Sequence, residues 1–186
     1  MRIWRSEDEF DLQASVVALG MFDGVHIGHQ ALIRRARELA EEMNAACVVC
    51  TFDRHPLALL YPERAPRQLL SIEEKMEKME KMGVDGVLLH SFTAEFAAME
   101  AEEYLKKLVA SLNVKAVVAG FNYSFGAGGR GNAQMLLREA GRLGYRAEIV
   151  DAVCDGEDTV SSTLIRALMD DGKTARAEQL MQIANG

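Results

Sequence analysis

The chain has 186 residues, of which 49% are apolar and 26% are charged, a composition that suits one domain with a real hydrophobic core. A net charge of -7 argues against a nucleic-acid-binding surface, because neutralising phosphates requires a basic face. No stretch reaches the roughly 18 apolar residues of a membrane span, and residues 1–5 lack the pattern of a signal peptide. We therefore expect a cytoplasmic protein with neither a nucleic-acid nor a membrane partner.

Short valine-rich strand patterns alternate with amphipathic helix patterns along the chain. The predicted strands cover residues 15–19, 46–52, 86–90, 115–119 and 147–152, and the predicted helices cover residues 30–43, 71–82, 100–112, 133–143, 162–170 and 174–184. The strands are apolar on both faces, as expected for parallel strands covered on two sides. This alternation predicts an α/β fold over a single domain, residues 1–186: a doubly wound, Rossmann-like parallel sheet with helices on both faces and a short C-terminal helical extension. In such a sheet, ligands bind beyond the carboxyl ends of the strands.

The helix predicted over residues 71–82 carries two local signals. Ser71 and Glu74 have the spacing of a capping box, which marks the start of a helix. The methionines at positions 76, 79 and 82 recur every three residues along it. We interpret them as a core-facing stripe and not as a partner-binding groove.

The most informative segment, residues 20–29, reads Gly-Met-Phe-Asp-Gly-Val-His-Ile-Gly-His and joins a strand that ends at Leu19 to a helix expected from Gln30. Glycines let the backbone approach a ligand closely, and the N–H groups and dipole at a helix N-terminus attract anions. His26 and His29 can donate hydrogen bonds to phosphate oxygens as charge builds up in a transition state. This HxGH signature favours nucleotidyl transfer.

Two other interpretations of these histidines are open. The pair can share a zinc ion, with His55, Cys47 or Cys50 as a third ligand, or the two rings can serve only as helix caps. The C-x-x-C spacing of the cysteines lies inside an apolar run, which favours buried strand thiols over a redox or zinc pair.

Two further segments follow predicted strands and should reach the same edge of the sheet. Residues 51–56 read Thr-Phe-Asp-Arg-His-Pro, and the proline favours an extended His55 that aims the loop across the edge; a simple turn is the alternative. Residues 120–132 contain five glycines and three aromatic residues. We expect a mobile loop whose rings stack on a flat ligand and whose Asn122 reads the hydrogen-bonding edge of that ligand; a flexible surface loop is the alternative.

The helix predicted from residue 162 begins after Ser161, a good N-cap. Ser162, Thr163 and Arg166 then lie on its first turn, where hydroxyls, unpaired N–H groups and an arginine suit a triphosphate. Arginine also offsets charge in the transition state of phosphoryl transfer. A plain capped helix with a surface arginine is the alternative.

Segments 20–29, 51–56, 120–126 and 161–166, in this order, resemble those of the FMN adenylyltransferase module of bacterial bifunctional riboflavin kinase/FAD synthetase. The first and last motifs are shared with the wider HxGH nucleotidyltransferase superfamily, whereas the middle two single out this family. The resemblance extends from about residue 15 to about residue 180.

The resemblance implies a nucleotidyltransferase domain that transfers AMP from ATP to FMN and gives FAD and pyrophosphate. Mg²⁺ would enter with the ATP phosphates, without a protein metal site, and the oligomeric state is not predicted. The implied catalytic residues are His26, His29 and Arg166. The implied ATP-binding residues are these three together with Gly20, Phe22, Asp23, Gly24, Ser162 and Thr163. The implied FMN-binding residues are Thr51, Phe52, His55, Pro56, Asn122, Tyr123 and Phe125.

The sequence departs from the usual pattern of this family at several positions. Met21 replaces a common asparagine, Ala127 stands where a lysine usually follows the first loop glycine, and Asn132 replaces a common aspartate. The sequence ends at Gly186, where bifunctional members continue into a kinase module, so we expect no phosphorylation of riboflavin. The alternatives are a related adenylyl- or cytidylyltransferase with another phosphorylated acceptor, such as phosphopantetheine, and a non-catalytic flavin-nucleotide-binding module.

Overall fold

The structure, a computed structural model, describes residues 1–183. In chain order, its strands are β1 (Arg2–Trp4), β2 (Ser15–Leu19), β3 (Ala46–Phe52), β4 (Gly86–His90), β5 (Val114–Gly120), β6 (Ser124–Phe125), β7 (Gly131–Asn132), β8 (Arg146–Val150), β9 (Cys154–Asp155) and β10 (Asp158–Thr159). Its α-helices are α1 (Ile27–Glu42), α2 (Pro56–Leu60), α3 (Ile72–Lys81), α4 (Ala94–Ala98), α5 (Ala101–Ser111), α6 (Ala133–Leu143), α7 (Ser162–Asp170) and α8 (Thr174–Met181).

Six strands form one parallel sheet in the order β1-β4-β3-β2-β5-β8. Helices α1 and α3 cover one face of this sheet, and α5 and α6 cover the other. The strand order reverses between β2 and β5, so the loop after β2 lies where ligands bind in doubly wound sheets. The predicted Rossmann-like α/β fold is confirmed.

The predicted strand boundaries match β2, β3 and β4, and they differ by one or two residues for β5 and β8. Strand β8 lies at the edge of the sheet and is only half-buried, although its sequence is apolar enough to suggest two covered faces. Sequence analysis does not predict β1, because a strand of three residues with only Trp4 buried has no periodic pattern.

The capping box and the methionine stripe of α3 are both confirmed. The Ser71 hydroxyl accepts from the Glu74 N–H, and the Glu74 carboxylate accepts from the Ser71 N–H. Met76 and Met79 are buried against the sheet, and Met82 packs beside them.

The two cysteines of β3 lie on opposite faces of the sheet. Cys47 packs on the side of α1 and α3, whereas Cys50 packs on the side of α5 and α6. Burial raises the pKa of Cys47 to about 12 and raises that of Cys50 as well. The interpretation as buried strand thiols is confirmed, since side chains that point to opposite faces cannot pair.

A third apolar cluster holds α7 and α8 together at the C-terminal end of the described chain. The predicted C-terminal helix is present over Thr174–Met181, and its predicted last residue, Ala184, lies outside the described residues. Among residues 1–183, none of the helices has the length and apolarity that crossing a bilayer requires.

Candidate active site

The loop between β2 and α1 has an unusual backbone conformation. Phe22, Gly24 and Val25 have positive φ angles of 50°, 87° and 42°. Such angles cost a residue with a side chain about 1–2 kcal/mol, and they cluster at functional sites where the surroundings hold them. Phe22 and Val25 are fully buried in the core on the side of α1, which keeps the loop in this shape.

Helix α1 begins at Ile27 with His26 as its N-cap, earlier than the predicted start near Gln30. The Nδ1 atom of His26 accepts a hydrogen bond from the His29 N–H at 3.4 Å. The two imidazole rings stack with their centroids 3.7 Å apart, and the Phe22 ring packs 5.1 Å from the ring of His29. His26 is therefore both a helix cap and one member of a stacked imidazole pair.

Both imidazoles are neutral at pH 7. Burial lowers the pKa of His26 to about 4, although the nearby Asp23 carboxylate acts in the opposite direction. Burial also lowers the pKa of His29 well below its usual value, and the neighbouring His26 and Lys75 lower it further. Because Nδ1 of neutral His26 accepts a hydrogen bond, its proton lies on Nε2, as a donor to phosphate requires.

The zinc interpretation finds no donor set in the part of the chain that the structure describes. No three histidine, cysteine or carboxylate side chains among residues 1–183 are grouped as metal ligands. Cys47 and Cys50 are buried within β3, and Nδ1 of His55 accepts from the Leu57 N–H at 3.2 Å.

The first turn of α7 is fastened to the same loop. Arg166 forms an ion pair with Asp23 through Nη2 and donates from Nε to the Arg67 carbonyl at 2.8 Å. The Ser162 hydroxyl donates to the Asp23 carbonyl at 2.8 Å, and Ser161 caps the helix as predicted. Asp23 therefore joins the N-termini of α1 and α7 into one unit.

Residues 51–56 reach the same region, but two of their expected FMN contacts have structural partners. Thr51 is fully buried, and its hydroxyl donates to the Met21 carbonyl at 2.8 Å. A buried hydroxyl whose proton is engaged in this way ties β2 to β3 and is not presented to a ligand. His55 is extended, as predicted, and caps α2, whose first residue is Pro56.

The Phe52 ring belongs to an aromatic cluster at the end of β3 and β4. It packs edge-on against Phe92 and Phe96, with centroids 5.3 and 5.2 Å apart, and lies 5.9 Å from His90. Phe52 is half-buried, so this cluster leaves part of the ring accessible.

The segment after β5 forms a hairpin that contacts neighbouring elements, and its mobility without a flavin stays a prediction. Strands β6 and β7 pair with each other, and the Ala127 N–H donates to the Met99 carbonyl at 2.7 Å. Phe125 is buried, and its ring packs against Tyr104 and Tyr123 at 5.6 Å each. These contacts engage two of the three rings that were expected to stack on a ligand.

Two other residues of this hairpin segment are exposed. Asn122 is exposed at the end of β5, and Phe121 beside it is 50% exposed. Sequence analysis expected the Phe121 ring to stack on a ligand together with the two other rings of the segment, but it named only Asn122, Tyr123 and Phe125 as FMN-binding residues. The large exposed ring of Phe121 is the more available stacking surface of this segment.

Lys75 of α3 is a site residue that sequence analysis did not identify. It is 6% exposed, and its Nζ donates to the carbonyls of Met21 and Phe52 at 3.2 Å each. A signal for it exists in the sequence, because this lysine directly precedes Met76 on the apolar face of α3. A charged residue on a core-facing stripe needs a partner.

One cleft at the carboxyl ends of β2 and β3 is lined by Asp23, Asp53, His55 and Lys75, among other residues. Its cavity volume of about 10 Å³ suffices for roughly one water molecule. Thr163 is exposed on the first turn of α7, next to this region.

The fold and the sequence both resemble known proteins. The crystal structure of a macrolide-efflux protein from Streptococcus pneumoniae matches with a TM-score of 0.83 and 32% identity, over 96% of this chain and 59% of that one. A pantoate-beta-alanine ligase from Francisella tularensis, complexed with beta-gamma ATP and beta-alanine, matches with a TM-score of 0.55 and 14% identity, over 100% of this chain and 82% of that one. The second likeness concerns the fold alone.

Curated relatives include bifunctional riboflavin kinase/FMN adenylyltransferases. The Listeria monocytogenes protein is 39% identical over 176 residues, which are 94% of this chain and 55% of the relative. The Escherichia coli K12 protein is 34% identical over 170 residues, 91% of this chain and 54% of the relative. The chain thus spans about half the length of these relatives. The sequence profile of the FAD synthetase family matches residues 8–164, and the chain belongs to this family.

Proposed function

We propose that the chain is an FMN adenylyltransferase, which transfers AMP from ATP to FMN and releases pyrophosphate. A phosphate oxygen of FMN attacks the α-phosphorus of ATP; a new P–O bond forms as the bond to the bridging oxygen breaks. The FMN phosphate is a competent nucleophile without a general base, so catalysis consists of positioning and charge stabilisation. The family assignment and the curated relatives support this reaction.

The stacked pair of His26 and His29 is the single observation that carries the proposal. Two neutral imidazoles at the N-terminus of α1 lie beside the loop that α7 fastens through Arg166. We assign the imidazole N–H groups to the ATP phosphates, with His29 nearer the bridging oxygen. Thr163 and the remaining guanidinium nitrogen of Arg166 are assigned to the β- and γ-phosphates. The Ser162 hydroxyl, which was expected there, donates to the Asp23 carbonyl and holds the loop after β2.

The flavin side of the proposal rests on residues beyond the phosphate site. Phe52, His55, Pro56 and Asn122 keep their assignment to FMN, and Phe121 joins them as an exposed ring. Thr51, Tyr123 and Phe125 are now assigned to support the pocket walls, since their polar or aromatic groups have protein partners.

Mg²⁺ is assigned to the ATP phosphates and to water. The described residues include no cluster of three metal ligands, and the Asp23 carboxylate is already paired with Arg166. This donor set does not make a protein cage for a cation, so no step of the mechanism is built on one. We also propose that residues 1–183 form a single nucleotidyltransferase domain and that the protein acts in the cytoplasm.

The deciding experiment mixes the purified 186-residue polypeptide with FMN, ATP and Mg²⁺ and measures FAD and pyrophosphate. We expect equal amounts of both products. Parallel reactions replace FMN with riboflavin or phosphopantetheine, and ATP with CTP, and we expect no product from any of them. FMN binding without FAD formation would establish the non-catalytic alternative.

Two variants separate the ATP side from the FMN side. Asn122→Ala should raise the KM for FMN more than the KM for ATP. Arg166→Lys should do the reverse, and it leaves Asp23 with a cationic partner while removing the planar guanidinium. If both variants weaken the binding of ATP and neither weakens the binding of FMN, the enzyme uses an acceptor other than FMN.

A further inference from the structure

The Lys75 ammonium lies between the two loops that meet at the cleft. One hydrogen bond reaches the Met21 carbonyl, in the loop that carries His26 and His29, and the other reaches the Phe52 carbonyl, in the segment that carries His55. Each N···O distance is 3.2 Å. One side chain of a third element, α3, therefore links the loop after β2 to the end of β3, in addition to the Thr51 hydroxyl, which donates to the same Met21 carbonyl.

The charge of Lys75 is unusually placed. The side chain is 6% exposed, on a helix face that otherwise packs Met76 and Met79 against the sheet. Burying an ammonium is unfavourable unless its hydrogen bonds and neighbouring charges compensate. Asp23 and Asp53 are the carboxylates close enough to favour its charged form. An apolar residue would avoid the cost of burying this charge, but it could not donate to the two carbonyls.

We propose that Lys75 is a positioning residue of the transfer reaction, which holds the nucleotide loop and the acceptor loop at a fixed separation through the carbonyls of Met21 and Phe52. The inference rests on the proposed function, in which these loops contact ATP and FMN respectively. In-line attack requires the acceptor oxygen and the α-phosphorus to be held within near-attack distance, and a misplacement of about 1 Å costs on the order of 10²-fold in rate.

Lys75→Met tests this role, because methionine has a similar length and suits the apolar face of α3. We expect the variant to have a lower Tm than wild type, because the carbonyls of Met21 and Phe52 lose this donor, and the assay is run at a temperature at which circular dichroism shows the variant to be folded. We expect kcat to fall about 10²-fold, with the KM for each substrate within threefold of wild type. The kcat of Lys75→Arg should be at least about tenfold higher than that of Lys75→Met.

Lys78→Met is the matched control. Lys78 is on the same helix and also donates to a backbone carbonyl, that of Met181 at 2.5 Å, but it joins neither loop. We expect its kcat to match wild type. A Lys75→Met enzyme that is folded and retains kcat within threefold of wild type overturns the inference while leaving the proposed function intact.

Amide hydrogen exchange separates this inference from the reaction itself. In Lys75→Met, peptides that cover residues 20–30 and 52–57 should exchange faster than in wild type, and in Lys78→Met they should not. If the wild-type polypeptide makes no FAD, the proposed function fails, whereas the exchange experiment still tests the link between the loops. Unchanged exchange in both peptides of Lys75→Met overturns the inference.

Discussion

His26 ends the loop after β2 and begins α1, and the ring that caps the helix also stacks on His29. This double engagement couples the stability of helix α1 to the geometry of the proposed phosphate site. A side chain at position 26 that cannot accept a hydrogen bond from the His29 N–H leaves this donor without a partner. Such a substitution changes both the stability of α1 and the position of the His29 ring. Asparagine is the conservative choice for experiments, since it caps helices and does not titrate.

Acid should destabilise the protein through His26. Its pKa is about 4 in the folded protein, against an ordinary histidine value of 6.5. As the pH falls from 6.5 towards 4, the unfolded chain binds a proton that the folded one excludes, so stability falls by up to about 3 kcal/mol and then levels. Urea titrations across this window should show a shallower pH dependence for His26→Asn, by up to about 1.4 kcal/mol per pH unit. Identical slopes for both proteins contradict a buried neutral His26.

His29→Ala should lower kcat by about 10²–10³-fold, the loss typical of one donor to developing charge. ATP binding should weaken much less, because the interaction strengthens only in the transition state. Steady-state kinetics together with ATP titration measure both effects. A variant with near-normal kcat makes His29 a packing residue, and wild-type activity that zinc chelation abolishes and zinc alone restores establishes a metal site.

At this scale, sequence reasoning proposed site residues that carry distinctive spacing, and their roles stay predictions. His26, His29, Ser162 and Arg166 follow from motif and helix geometry, and the structure brings their loops together. Lys75 was missed because its role depends on how α3 seats against the ends of β2 and β3. The sequence of α3 shows a lysine among its buried residues, but no local pattern specifies which carbonyls this lysine reaches.

Among the elements, caps and glycines determine most helix boundaries. Helices α6 and α7 have the predicted boundaries, with Asn132 and Ser161 as N-caps. The hairpin of β6 and β7 was not predicted, because two-residue strands in a glycine-rich segment have no periodic pattern and depend on tertiary contacts. Here Gly126 sits directly against the backbone of Ala101, too close for any side chain.

Gly126→Ala should destabilise the protein more than Gly128→Ala. Both glycines have positive φ, 72° and 64°, so each substitution carries about 1–2 kcal/mol of backbone strain. A Cβ at Gly126 also collides with Ala101, which adds about 1–3 kcal/mol, whereas a Cβ at Gly128 meets nothing within 4 Å. Urea unfolding of the two variants gives the difference directly. If the two variants lose the same free energy of unfolding, the hairpin does not contact Ala101 of α5 as described.

Over the whole molecule, the alternation of strands and helices was enough to predict the sheet and its two covered faces. The alternation does not give the order of the strands, which reverses between β2 and β5. The position of β1 beside β4 was not predictable, since that pairing joins Arg2 to Gly86 and leaves no local trace.

The three cysteines should report on global unfolding. Cys154 is exposed, whereas Cys47 and Cys50 are buried on opposite faces of the sheet. With a thiol reagent under native conditions, we expect one fast reaction and two slow ones whose rate rises with urea as the unfolding rate does. Cys154→Ser should remove only the fast phase. If all three thiols react rapidly under native conditions, Cys47 and Cys50 are not buried in β3.

The pairing of β1 with β4 also has a consequence for the order in which the chain assembles. Residues 2–4 are synthesised before residues 86–88 and cannot pair until these follow, so β1 docks after β2, α1 and β3 have been able to collapse. Trp4, the single tryptophan of the chain, is 1% exposed once docked. Its fluorescence during refolding therefore records the closing of the outer edge of the sheet, as distinct from the formation of its centre.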